Sequence, residues 1–87
     1  MKVVINREYV KISNIYTHIA AEQIMKDVRD LLLDGGYGFT TYIEGGPGPS
    51  GEGFVIRLVF DRKLGDAEVS LLKNYFKLRR ASITVED

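Results

Sequence analysis

His18 and Glu22 stand four residues apart in a stretch of helical periodicity. That spacing brings two side chains together on one face of a helix. An imidazole beside a carboxylate is the smallest kit for general acid–base chemistry. The same pair also reads as an exposed, charge-assisted contact on a solvated helix face. His18 is the one histidine, and there is no cysteine, so a thiolate nucleophile or thiolate metal site is ruled out. Ser13, Ser50, Ser70 and Ser82 lack the flanking glycines of a nucleophile elbow. The carboxylates follow neither metal-loop nor HExxH spacing. The sequence therefore assigns no catalytic residue, no metal ligand and no cofactor, and the expectation is a protein that is not an enzyme.

Two other groups could bind rather than react. Eight of the nine glycines and both prolines lie between Gly35 and Gly53. Gly35 and Gly36 end a helix and Gly38 starts a strand, which leaves 45–53 as the segment free to meet a ligand or partner. Its contact residues would be Gly45, Gly46, Gly48, Ser50, Gly51 and Glu52. Successive backbone N–H groups at Gly45, Gly46 and Gly48 could form an anion-binding nest. The loop carries no Lys or Arg and opens between two strands, so it is equally readable as a flexible connector. The second group is Lys73, Lys77, Arg79 and Arg80. These could contact phosphates, or simply complement the negative end of a helix dipole.

Both groups need a scaffold, and the chain is long enough for one domain, 1–87. Twelve basic residues balance twelve acidic ones. A nucleic-acid binder usually carries a basic excess, because phosphate neutralisation supplies most of its affinity. The apolar run near the N-terminus is too short for a signal peptide or a membrane span. The expected location is the cytoplasm.

Segment 2–12 is rich in Val, Ile and Tyr and reads as one long strand; two short strands meeting near Asn6 and Arg7 are the alternative. Ser13, Asn14 and Thr17 offer helix N-caps. Segment 17–34 is a helix with Ala20, Ile24, Val28 and Leu31 as its inner stripe, widened by Ile19 and Leu32. Segment 39–44 alternates as a strand. Segment 54–61 does so more strongly, with Phe54, Ile56, Leu58 and Phe60 on one face. Asp66 caps a second helix over 67–78, whose inner stripe is Val69, Leu72 and Phe76. Ala81, Ile83 and Val85 alternate in a final strand.

Strand, helix, strand, strand, helix, strand implies an α+β fold of ferredoxin-like βαββαβ type. It would have a four-stranded antiparallel sheet with both helices on one face. The uncovered face would carry Val4, Thr40, Tyr42, Val55, Arg57 and Val59. RNA-recognition domains share this order, and 50–57 resembles their third-strand motif at Gly51, Gly53, Phe54 and Val55. Ser50 and Glu52 stand where that motif has a basic residue and an aromatic.

A second similarity lies in 33–48, where Gly35 and Gly36 form a turn, Gly38 and Thr40 enter a strand, and Gly45, Gly46 and Gly48 start the following loop. This stretch resembles the helix-to-second-strand region of the PII-like signal-transducer superfamily. The resemblance implies a ferredoxin-like trimer binding nucleotides in clefts between subunits, with Gly38, Thr40, Gly45, Gly46 and Gly48 lining the cleft.

The leading expectation is a non-enzymatic binding or regulatory module, of the kind small inhibitors represent. It would act on a protein partner through the open sheet face and loop 45–53, as a homo-oligomer. Nucleotide or small-anion binding at the loop is the alternative. Nucleic-acid binding through the basic end of the second helix comes third.

Overall fold

The computed structural model describes residues 1–46 and 53–86. In chain order the elements are β1 (Lys2–Ile5), β2 (Tyr9–Ile15), α1 (His18–Leu32), β3 (Phe39–Gly45), β4 (Phe54–Phe60), α2 (Asp66–Leu78) and β5 (Ser82–Val85). The class is α+β, as the sequence implies. The sheet, however, has five strands in the order β3-β4-β2-β1-β5. Neighbours run antiparallel except β1 and β5, which are parallel.

The extra strand corrects the reading of 2–12 as one strand. Val3 and Ile5 are buried at odd positions, Val10 and Ile12 at even ones. A continuous strand would send those pairs to opposite faces, because side chains alternate with a period of two. Folding back between Ile5 and Tyr9 returns all four to one face. The turn has local support. The Asn6 side-chain carbonyl accepts the Glu8 N–H at 2.9 Å, and the Asn6 N–H donates to the Tyr9 carbonyl at 2.8 Å. Arg7 ties the turn to the start of α2, donating to the Leu64 carbonyl at 2.9 Å and pairing with Asp66 at 2.6 Å. β1 thus takes the place beside β2, and β5 moves out to the edge.

Other local readings are corrected too. Ser13 and Asn14 cap nothing. They lie inside β2 where its register against β4 shifts, and Asn14 has φ 60°. Thr17 is the N-cap of α1 and accepts the Ala20 N–H at 3.1 Å. Gly65, not Asp66, precedes α2, and Asp66 is in its first turn. The buried stripe of α1 is Ala21, Ile24, Val28 and Leu32, while Ile19 stands 81% exposed. α2 buries Leu72 and Phe76 against the same core. One cluster joins these residues to Val3, Ile5, Val10, Ile12, Phe54, Ile56, Leu58 and Phe60, so both helices cover one face of the sheet.

Candidate functional site: the open sheet face

Because β1, β2 and β4 bury alternate residues under the helices, and β3 and β5 carry the pairing on at the edges, the intervening residues form a second face. All six residues expected there occupy it. Pairing fixes their neighbours. Tyr42 on β3 lies opposite Arg57 on β4, Arg57 opposite Lys11 on β2, Lys11 opposite Val4 on β1, and Val4 opposite Thr84 on β5. This row crosses the whole sheet. Beside it Thr40, Val59 and Tyr9 form a second row. On the other flank Glu44 faces Val55, and Lys2 lies in register with Ser13 and Ser82. Val4, Val55 and Val59 are half-buried; Thr40, Tyr42 and Arg57 are exposed.

Tyr9 and Lys11 are the members that sequence reasoning missed. A continuous first strand put them toward the helices. The odd-to-even switch in the apolar positions was the signal that would have found them.

The electrostatics of the central row are unusual. Lys11 and Arg57 are directly opposed on adjacent strands, an arrangement in which like charges destabilise a sheet. Among the described residues neither side chain makes a hydrogen bond or an ion pair. A shallow depression of about 400 Å³ lies over them, lined by Tyr9, Lys11, Arg57 and Val59. The Tyr9 hydroxyl donates to the Glu86 carboxylate at 3.2 Å. The negative charge of Glu86, and then this hydrogen bond, raise the Tyr9 pKa above its usual value. The contact fixes the direction of the Tyr9 side chain across the face.

The remaining candidates fare differently. Gly45 and Gly53 close the β3–β4 connection with φ of 79° and 80°. A Cβ on Gly45 would collide with the Gly53 carbonyl, and one on Gly53 with the Ile15 carbonyl. Both are therefore glycine for reasons of backbone packing. A Cβ on Gly46 would meet nothing. Gly48, Ser50, Gly51 and Glu52 lie outside the described residues. Gly38 stands just before β3 and Gly45 at its far end, so the cleft residues implied by the PII-like resemblance are divided between the two ends of one strand.

In the basic group, Arg79 is committed to the protein itself. Its guanidinium pairs with Asp27 at 3.1 Å and lies over the Tyr75 ring, 3.7 Å from the centroid. Lys73, Lys77 and Arg80 are exposed. His18 turns its ring toward Phe54, with centroids 4.8 Å apart, and makes no ion pair with Glu22. Among the described residues no group of three or more His, Cys, Asp or Glu is placed to hold a metal. None of their helices is long and apolar enough to cross a membrane. No family model matches the chain, and no match was found among curated proteins or solved structures.

Proposed function

We propose that this chain is a non-enzymatic binding or regulatory module that acts on a protein partner through the open face of its sheet. The observation that carries the reading is the Lys11–Arg57 pair, held opposed at the centre of that face with no ion-pair partner among the described residues. A sheet gains nothing from that arrangement in the free protein. Around the pair stand Tyr9, Tyr42 and three half-buried valines. Tyrosine and arginine with apolar neighbours is the composition of protein interface cores rather than of solvated sheet faces.

The strand order β3-β4-β2, with both helices behind it, follows the ferredoxin-like pattern. We read the fold as a five-stranded variant of that sandwich, in which β1 separates β2 from β5. The central place of β2 also favours a different chain over a second copy as the partner. Two copies stacked face to face about a two-fold axis through β2 would bring Lys11 against Lys11.

A photo-reactive phenylalanine analogue at Thr40 or Thr84 tests the reading in cells that make the protein. A discrete adduct from these positions, absent when the analogue replaces exposed Ser70 on α2, is the expected result. Adducts from the α2 position alone would overturn it. Adducts at twice the chain mass, with light scattering that shows a dimer, would replace the different partner by a second copy.

A further inference from the structure

We infer that the partner's contact with this face is a short acidic peptide segment whose carboxylates seat on Lys11 and Arg57. The inference rests on the reading of the open face as a protein-binding surface and adds the chemistry of what binds there.

Opposed residues on antiparallel strands hold their Cβ atoms about 5 Å apart, so two cations meet over one small area. One carboxylate can bridge them, or two can take one each. The guanidinium of Arg57 offers the planar fork that engages a carboxylate through two parallel hydrogen bonds. Lys11 supplies a point charge beside it. Alternate side chains of an extended peptide repeat every 7 Å or so, close to the spacing of the rows on this face. An acidic residue over the cation pair would therefore bring its next same-side neighbour over Val59 and Tyr9, or over Val55.

The rim limits the length of the acidic segment. Glu44 stands at one corner and Glu86 near the opposite one, so three cations on the face are offset by two carboxylates. A long uniformly charged strand, such as single-stranded nucleic acid, would pass one of those corners on most paths across the face. A short acidic segment with an apolar neighbour would not, and its own flanking cations could use Glu44. The chain's neutral balance points the same way.

The test is selection from a random dodecapeptide library displayed on phage against the folded chain. Backbone amide shifts then map the enriched peptides, and fluorescein-labelled dT15 serves as the nucleic-acid probe. The expected winners carry two or more carboxylates, perturb β2 and β4, and bind at least tenfold more weakly to Lys11→Gln/Arg57→Gln. The reversed chain, Lys11→Glu/Arg57→Glu, should enrich basic peptides instead. Both positions are exposed, and thermal unfolding checks that each variant folds. Neutral or basic winners that map to the same face would overturn the acidic segment and leave the binding module standing. Winners that map elsewhere, or no enrichment, would overturn both. Tighter binding of dT15 than of any acidic peptide, lost in the same variants, would replace the peptide with nucleic acid.

Discussion

Two clusters in this molecule use the same side chains to opposite ends. Beside α1 and α2, Arg79 lies over the Tyr75 ring and pairs with Asp27, and the Tyr75 hydroxyl donates to the same carboxylate at 2.6 Å. Every charge there has its partner inside the protein. On the sheet, Arg57 stands next to Tyr42 and opposite Lys11, and among the described residues no carboxylate closes the group. The helix cluster lowers the free energy of the fold. The sheet cluster raises it slightly, a cost that the proposed function assigns to the binding of a partner. On the proposed reading, a basic–aromatic group is a sign of function only where its charges are left open.

Removing the acceptor from the closed cluster should have the largest effect. Asp27→Ala leaves the Tyr75 hydroxyl and the Arg79 guanidinium without their acceptor, a loss of about 2 kcal/mol for a charged hydrogen-bond group. The side chain of Asp27 keeps 21% of its surface in water, which holds the effect below that of a fully buried pair. Urea unfolding should show the loss, with no change in peptide binding on the sheet. A fall in peptide affinity would mean that the two clusters are not separate.

Tyr75→Phe should cost about 1 kcal/mol, one net hydrogen bond. Its pH signature is sharper than its size. The hydrogen bond from Tyr75 is the largest cause of the lowered Asp27 pKa. A carboxyl lowered in the folded state contributes stability above its unfolded value, and the contribution disappears as pH falls through the folded value. Burial, and then Asp27, raise the Tyr75 pKa. That contribution is present below about pH 10 and fades as the unfolded tyrosine ionises above it. Wild-type stability should therefore fall faster than that of Tyr75→Phe at both extremes. Parallel curves would show that the hydrogen bond carries no stability.

How much of this was legible in the chain depends on phase. The alternation in 54–60 was strong enough to fix which residues of β4 face outward, and Val55, Arg57 and Val59 do so. β3 follows from the same alternation. The first strand failed because Val, Ile and Tyr have high strand propensity throughout 2–12, and propensity says nothing about where the apolar side switches. With the turn missed, Lys11 could not be placed opposite Arg57, and the cation pair was invisible. On α1 Ile24, Val28 and Leu32 are buried as expected, while Ala21 is buried in place of Ala20 and Leu31 is only half-buried. The stripe has an apolar neighbour at each end, Ala20 beside Ala21 and Leu31 beside Leu32, so only packing decides which is buried. Arg79 read as one of four cations at a helix end because its partner, Asp27, lies 52 residues away in sequence.

The open cluster should respond with the reverse sign. Arg57→Glu turns the like-charged pair into an opposite-charged one with Lys11, a change worth about 0.5 kcal/mol in favour of the fold. Thermal unfolding at low salt should show a small rise in Tm that shrinks as salt screens the pair. Affinity for an acidic peptide should fall at the same time by tenfold or more. A drop in stability would mean that Arg57 already serves the fold, and the contrast with Arg79 would collapse.

The smallest change tests the border of the open cluster. Glu86 accepts the Tyr9 hydroxyl and places a negative charge at the edge of a face that otherwise favours anions. Glu86→Gln keeps an acceptor for the hydroxyl and removes the charge. The Tyr9 pKa, raised chiefly by that charge, should return toward the ordinary tyrosine value in an absorbance titration. Stability at neutral pH should hardly move, because both groups are exposed and surface contacts of this kind contribute little. An acidic peptide should bind about twofold tighter once the corner no longer repels it, a small gain because the charge sits in water. If the peptide binds more weakly instead, Glu86 is contacting the partner, and the anionic corner belongs to the recognition surface rather than bounding it.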